Sequence, residues 1–157
     1  MKTRKQLTPE QALYRLQTLC ARAEHCTFEL RQKLERWQIN AGDARSIMEQ
    51  LVAERYVDDR RYARSYTGDA VKFGRRGRLY IRQHLMAKRI NPDIIAEALD
   101  EAIDPEVYNA NLRKLVAALQ ADDEQSATPA GRQRVLRRAL SRGYTPSEVL
   151  PLLDTRY

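Results

Sequence analysis

The residue types that do chemistry are sparse in this chain, and their spacing narrows what they could do. Two adjacent carboxylates, Asp58 and Asp59, could hold a divalent ion for phosphodiester hydrolysis. They also stand directly before a helical run over residues 60–71. An aspartate there caps the helix and favours its dipole, which is the reading adopted here. Cys20, His25 and Cys26 lie within two turns, but three ligands so close do not close a tetrahedral metal site, and His84 is far away. Ser46, Ser65, Ser126, Ser141 and Ser147 all lack a nucleophile-elbow context. Gly74-Arg75-Arg76-Gly77 has neither the spacing nor the preceding strand of a phosphate-binding loop. The expectation is no enzymatic activity, no metal and no cofactor. The two cysteines read as reduced thiols of a cytoplasmic protein.

What the chain does concentrate is positive charge. Arg60, Arg61, Arg64, Lys72, Arg75, Arg76, Arg78, Arg82, Lys88 and Arg89 face a single acid, Asp69, within residues 60–89. That segment is +9, and the remaining 18 basic and 20 acidic residues leave −2 elsewhere. A focused basic field calls for a polyanionic partner, either nucleic acid or an acidic protein surface. Within it, Lys72-Phe73-Gly74-Arg75-Arg76-Gly77-Arg78 joins two helices. The glycines permit positive φ and close backbone approach, and the arginines offer planar forks for phosphate or carboxylate. Arg78 and Arg82 are four apart on one helix face. Phe73, Tyr80 or Tyr66 could stack on a base or a guanidinium, although core packing is the commoner fate of each.

The elements that must hold these residues are helices. Thr8-Pro9-Glu10-Gln11 and Thr145-Pro146-Ser147-Glu148 are capping boxes with proline at N1. Asn91-Pro92, Asp104-Pro105 and Thr128-Pro129 are further cap–proline pairs, and Pro151 should kink or end the last helix. Apolar residues recur near 3.6 in nine stretches. Among the stripes are Leu30, Leu34 and Trp37; Ile47, Leu51 and Val52; and Ile81, Leu85 and Met86. The nine fall into three triplets. Leu30-Arg31-Gln32-Lys33-Leu34 with Ile39 matches Ile81-Arg82-Gln83-His84-Leu85 with Ile90, and Val135 through Tyr144 repeats the spacing. A period near fifty residues predicts tandem helical modules. The expected fold is all-α, an elongated array of three three-helix repeats covering residues 1–57, 58–103 (the basic module) and 104–157.

With 157 residues and a net charge of +7, there is room for one domain or a short array. No stretch reaches the roughly 18 apolar residues of a membrane span, and the start MKTRKQLTPEQ lacks the apolar run of a secretory signal. No membrane partner and a monomer are expected; nothing resembles a coiled-coil seam.

At this point the residues resemble the RecX family, regulators of the bacterial recombinase RecA. Glu29-Leu30-Arg31-Gln32-Lys33-Leu34 is similar to that family's E-L-R-x-K-L run. Tyr56-Val57-Asp58-Asp59-Arg60-Arg61-Tyr62-Ala63 resembles its Y-[LIV]-[DN]-D-x-x-[FY]-A junction. Gly77 through Ile90 looks like its second module, and Arg142-Gly143-Tyr144 fits its third. Tyr80 stands where the family usually has arginine, and Arg89 where it usually has glycine. The resemblance implies three tandem three-helix repeats and no activity of the chain's own. It implies binding along the groove of the RecA–single-stranded DNA filament, mostly to inhibit strand exchange, ATP hydrolysis and coprotease activity in recombination, DNA repair and the SOS response. On that reading Arg75, Arg76, Arg78 and Arg82 make the contacts, extended by Arg60, Arg61 and Arg64 if they share a face. The alternative is a stand-alone DNA-binding module using the same basic segment; a metal-dependent nuclease on Asp58 and Asp59 is a distant third.

Overall fold

The structure, a computed structural model, describes residues 6–153. Its elements in chain order are α1 (Pro9–Arg22), α2 (Thr27–Arg36), α3 (Ala41–Ala53), α4 (Asp59–Lys72), α5 (Arg78–Ala87), α6 (Pro92–Glu101), α7 (Pro105–Ala121), α8 (Pro129–Ser141) and α9 (Pro146–Val149). Among the described residues every regular element is helical. A 3₁₀ turn, Leu150–Leu152, follows α9 with Pro151 inside it. The proline lacks an amide hydrogen, so the α-helical ladder stops there. None of these helices is long and apolar enough to cross a membrane.

The helix starts form as the sequence dictates. Thr8, Asn40, Asp58, Asn91, Asp104, Thr128 and Thr145 each accept a hydrogen bond from an amide in their own first turn, satisfying donors that have no partner inside the helix. Thr8 and Thr145 complete both halves of a capping box. Helices α2 and α5 differ, because Cys26 and Gly77 at their N-caps offer no side-chain acceptor. Both are the motif-bearing second helices of their triplets.

The repeat is visible in the backbone. Gln38, Arg89 and Gly143 each end the second helix of a triplet in the left-handed region, with φ of 58°, 54° and 99°. The next amide in each case turns back to the helix, from Ile39 to the Leu34 carbonyl (3.1 Å), Ile90 to Leu85 (3.1 Å) and Tyr144 to Ala139 (3.4 Å). This is the closing geometry of a Schellman end. It explains why glycine suits the place held here by Arg89.

The core is in two parts. Helices α1–α3 with Val57 enclose one cluster around Leu16, Leu30, Leu34 and Leu51. Helices α4–α9 share the other, around Ile81, Leu85, Tyr108, Val135 and Tyr144. Cys26 of the α1–α2 turn crosses over and is buried in the second cluster, and Phe28 of α2 packs against it. The stripes named above hold with two corrections, Val52 and Met86, exposed at 50% and 61%, and Leu150 in the 3₁₀ turn is exposed at 47%. In α3 and α5 the preceding residue, Leu51 or Leu85, is buried; 100° per residue turns its neighbour off the core-facing line.

Candidate functional site: the basic surface of the middle helices

Asp58 and Asp59 are consumed by the fold. Asp58 caps α4 by accepting the Arg61 amide at 3.1 Å. Asp59 reaches across to α2, accepting the Thr27 amide and the Thr27 hydroxyl, both at 2.8 Å. It supplies the cap that Cys26 does not. Among the described residues no three His, Cys, Asp or Glu side chains gather as a metal site. Cys20 and Cys26 are free thiols, and His25 pairs with Glu29 at 3.3 Å.

The ten basic residues do not form one patch. Arg60 pairs with Glu97 at 3.0 Å, and Arg64 lies between Glu97 at 3.7 Å and Glu101, which it contacts closely. These two arginines tie α4 to α6. Arg61 binds Glu24 at 2.7 Å and the carbonyls of Arg55 and Tyr56, which ties α4 to the end of the first triplet. Arg78 is turned towards the third triplet. Its guanidinium lies 4.2 Å from the Tyr108 ring centroid and 3.3 Å from Glu148, and its amide donates to the Tyr108 hydroxyl. Burial pushes the Tyr108 phenol well above its ordinary range, so it stays neutral at that junction. Arg89 lies over Phe28 at 5.2 Å, and Lys88 acts electrostatically on Glu29. Both therefore face the joint with α2.

Lys72, Arg75, Arg76 and Arg82 remain, with no carboxylate partner among the described residues. The first three surround the α4–α5 turn. The positive φ in that turn falls on Arg75 (50°) rather than on either glycine. Gly77 serves instead for close approach: a Cβ there would stand 2.3 Å from the Gly143 backbone. Its amide donates to the Arg142 carbonyl at 2.8 Å, and the Leu79 amide to the Gly143 carbonyl at 3.1 Å. The C-terminal end of α8 thus caps α5 head to tail, joining opposite ends of two helix dipoles.

This crossing brings in a residue that the charge count overlooked. The Gly77–Arg142 hydrogen bond sets Arg142 beside the turn that carries Arg75 and Arg76. Burial and then Glu148 push the Tyr144 phenol up, and these three arginines lower it. Arg142 is exposed and has no acidic partner among the described residues. The signal for it was the Arg142-Gly143-Tyr144 motif, whose glycine makes the crossing. The aromatic side chains divide. Tyr66 stacks on His84 at 3.7 Å, Tyr80 carries the Arg76 guanidinium at 4.3 Å, and Phe73 is 72% exposed with the Lys72 ammonium 5.3 Å above it. Such an arrangement of cations and ring faces can hold phosphates or carboxylates by charge and bases by stacking; it contains no group placed to make or break a bond.

The comparisons with known proteins agree with this reading of the fold. Residues 58–99 match the family model described as RecX, second three-helix domain. The regulatory protein RecX of Halorhodospira halophila is 31% identical over 135 residues, covering 83% of this chain and 79% of its own. That of Haemophilus influenzae is 29% identical over 136 residues, covering 86% and 88%. The Listeria monocytogenes serotype 4a protein is longer: 117 aligned residues at 25% identity cover 74% of this chain and 43% of the relative. Two crystal structures share the fold. A regulatory protein RecX superposes with TM-score 0.82 at 23% identity, covering 92% of this chain and 72% of its own. RecX from Lactobacillus salivarius gives 0.81 at 17%, covering 92% and 93%. The nine helices of the described residues, in a backbone-repeated array, and sequence likeness across most of the chain's length place this chain in the RecX family of regulatory proteins.

Proposed function

We propose that this protein binds the RecA–single-stranded DNA filament and inhibits RecA recombinase, ATPase and coprotease activities, without catalysis of its own. The carrying observation is that the α5–α8 crossing sets Arg142 beside the turn that carries Arg75 and Arg76, none of the three paired with an acid among the described residues. Two segments far apart in sequence supply one cationic surface that the fold does not neutralise. Fixed positive charge of this kind favours a polyanionic partner and steers encounter with it. In this reading residues 1–57, 58–103 and 104–157 act as three modules. The outer two position the array along several protomers. Arg60, Arg61, Arg64, Arg78, Lys88 and Arg89 are supporting residues, because each faces a partner within the chain.

The test is RecA ATP hydrolysis on single-stranded DNA with increasing amounts of this protein and of an R75E/R76E/R142E variant. Inhibition by the wild type, with the half-inhibitory concentration of the variant raised at least about tenfold, is expected. An unchanged ATPase rate at stoichiometric wild-type protein would overturn the proposal.

A second reading, a stand-alone DNA-binding module, is favoured by the Arg76–Tyr80 pair, which could meet phosphate and base together. Six phosphate contacts would give a log–log salt slope of about −5 on duplex and about −4 on single strands. A shallow slope on bare DNA beside tight filament binding would dismiss it.

A further inference from the structure

Arg31 and Arg82 occupy the same place in the repeated helix, 51 residues apart, each followed by glutamine. The apolar half of that motif is fully used, since Leu30, Leu34, Ile81 and Leu85 are all buried. The polar half is not. Arg31, Gln32, Arg82 and Gln83 are all exposed, and none of their side chains makes a hydrogen bond or ion pair with another described residue. A polar pair repeated within one chain and unused by the fold points outward.

Both arginines border the same structural feature. A groove of about 760 Å³ runs between α2 and α3 beside Arg31, and one of about 400 Å³ runs between α5 and α6 beside Arg82. Their linings correspond at the same 51-residue offset: Ile39 with Ile90, Ala44 with Ile95, Met48 with Leu99. Val52 and Met86, two exposed residues of the sequence stripes, lie one in each groove. The third repeat lacks the device: where Arg82 stands in the second, Leu136 stands in the third and packs on the core.

We propose that the two grooves are corresponding docking sites for an acidic, apolar polypeptide segment. Each groove seats an apolar side chain of the segment, and a carboxylate beside that side chain pairs with Arg31 or Arg82. Charge complementarity sets the sign of the partner, and the apolar lining sets its class. Arg31 and Arg45 share the first groove with Glu35 and Glu49, so unlike the cationic turn at Arg75 and Arg76 it has no net positive charge to hold a run of phosphates, while Arg31 remains free to pair with one carboxylate. Two corresponding sites on successive repeats suit a partner that presents the same segment at regular intervals. That last point rests on the filament reading; the docking chemistry does not.

The experiment compares wild-type protein with R31E, R82E and the double variant, with helicity checked by circular dichroism. The first probe is a RecA filament on poly(dT), the second bare poly(dT). Each single reversal is expected to weaken filament binding about tenfold and the pair about a hundredfold, as separated sites add. Binding to bare DNA should change less than about threefold. Equal losses on both probes would mean phosphate contacts and overturn the docking proposal, as would unchanged filament binding. If the wild type ignores the filament, the filament reading fails, and methyl NMR still decides the grooves. A 12-residue amphipathic peptide of leucines flanked by glutamates should shift the Met48 and Met86 methyl signals saturably, with affinity lost in the double variant and absent for a scrambled peptide. No such shift would overturn the docking proposal.

Discussion

The carboxylate of Asp59 caps a helix that is not its own, holding the amide and hydroxyl of Thr27 at 2.8 Å each. With Arg61 on Glu24 and the Cys26 side chain set into the neighbouring core, this bond fixes the first triplet on the second. Asp59→Ala should cost about 1–2 kcal/mol and loosen that joint, read as a lower urea midpoint. Asp58→Ala should cost about 1 kcal/mol through the start of α4. A chelator should leave both midpoints unchanged; a chelator-induced shift would restore the metal reading of this pair.

The α5–α8 crossing predicts opposite outcomes at two glycines. Gly77→Ala puts a Cβ 2.3 Å from backbone atoms of Gly143, and neither helix end can yield without breaking the amide bonds between them. A loss of about 3 kcal/mol or more is expected, a fall in Tm of roughly 6–12 °C at this chain length. Gly68→Ala, inside α4 with its nearest contact at 3.9 Å, should instead stabilise by about 0.5–1 kcal/mol. Thermal unfolding of the two variants side by side checks the sign of each.

His84 should make stability depend on pH. Burial, and then Lys88, holds its imidazole below the ordinary 6.5, with Glu29 acting the other way. A base depressed in the folded state takes its proton first in the unfolded chain, so stability is full above about 6.5 and is lost as pH falls through the window below it. Urea midpoints from pH 8 to pH 5 should decline in wild type and stay flatter in His84→Gln. An equal decline in both would assign the effect elsewhere.

Thiol chemistry should separate the cysteines. Burial pushes Cys26 up to about 11, which leaves about one thiolate in a thousand at pH 8. Cys20, half-buried, is raised by burial and by Glu24. A disulfide reagent at pH 8 should label Cys20 slowly and Cys26 only on unfolding. Rapid labelling of both would show that the joint at Cys26 opens readily.

Charge reversal should sort the basic residues by role. R60E with R64E removes half-exposed pairs to Glu97 and Glu101. Each such pair is worth about 0–1 kcal/mol, so the cost is a small drop in stability with inhibition of RecA retained. R75E with R76E should leave Tm within a few degrees and raise the half-inhibitory concentration severalfold. The reverse pattern would move the functional surface from the α4–α5 turn to the α4–α6 face.

Much of this molecule is dictated locally and could be read without coordinates. Caps at Thr8, Asn91, Asp104, Thr128 and Thr145, the apolar spacing and the 51-residue match of the motif helices depend on neighbours a few residues away. They predict helix number, helix starts and the repeat. The roles of charged side chains depend on what the packing brings opposite them. Nothing near Arg78 in the sequence announces Tyr108 and Glu148, and nothing near Arg60 announces Glu97. Arg142 joins Arg75 and Arg76 only because two glycines, Gly77 and Gly143, let helix ends touch. The division of the core also required the tertiary structure, since α4–α9 merge their apolar faces while α1–α3 close on their own. Local hydrogen bonding and periodicity set the elements; long-range pairing of charge and close backbone approach set which residues remain free to act.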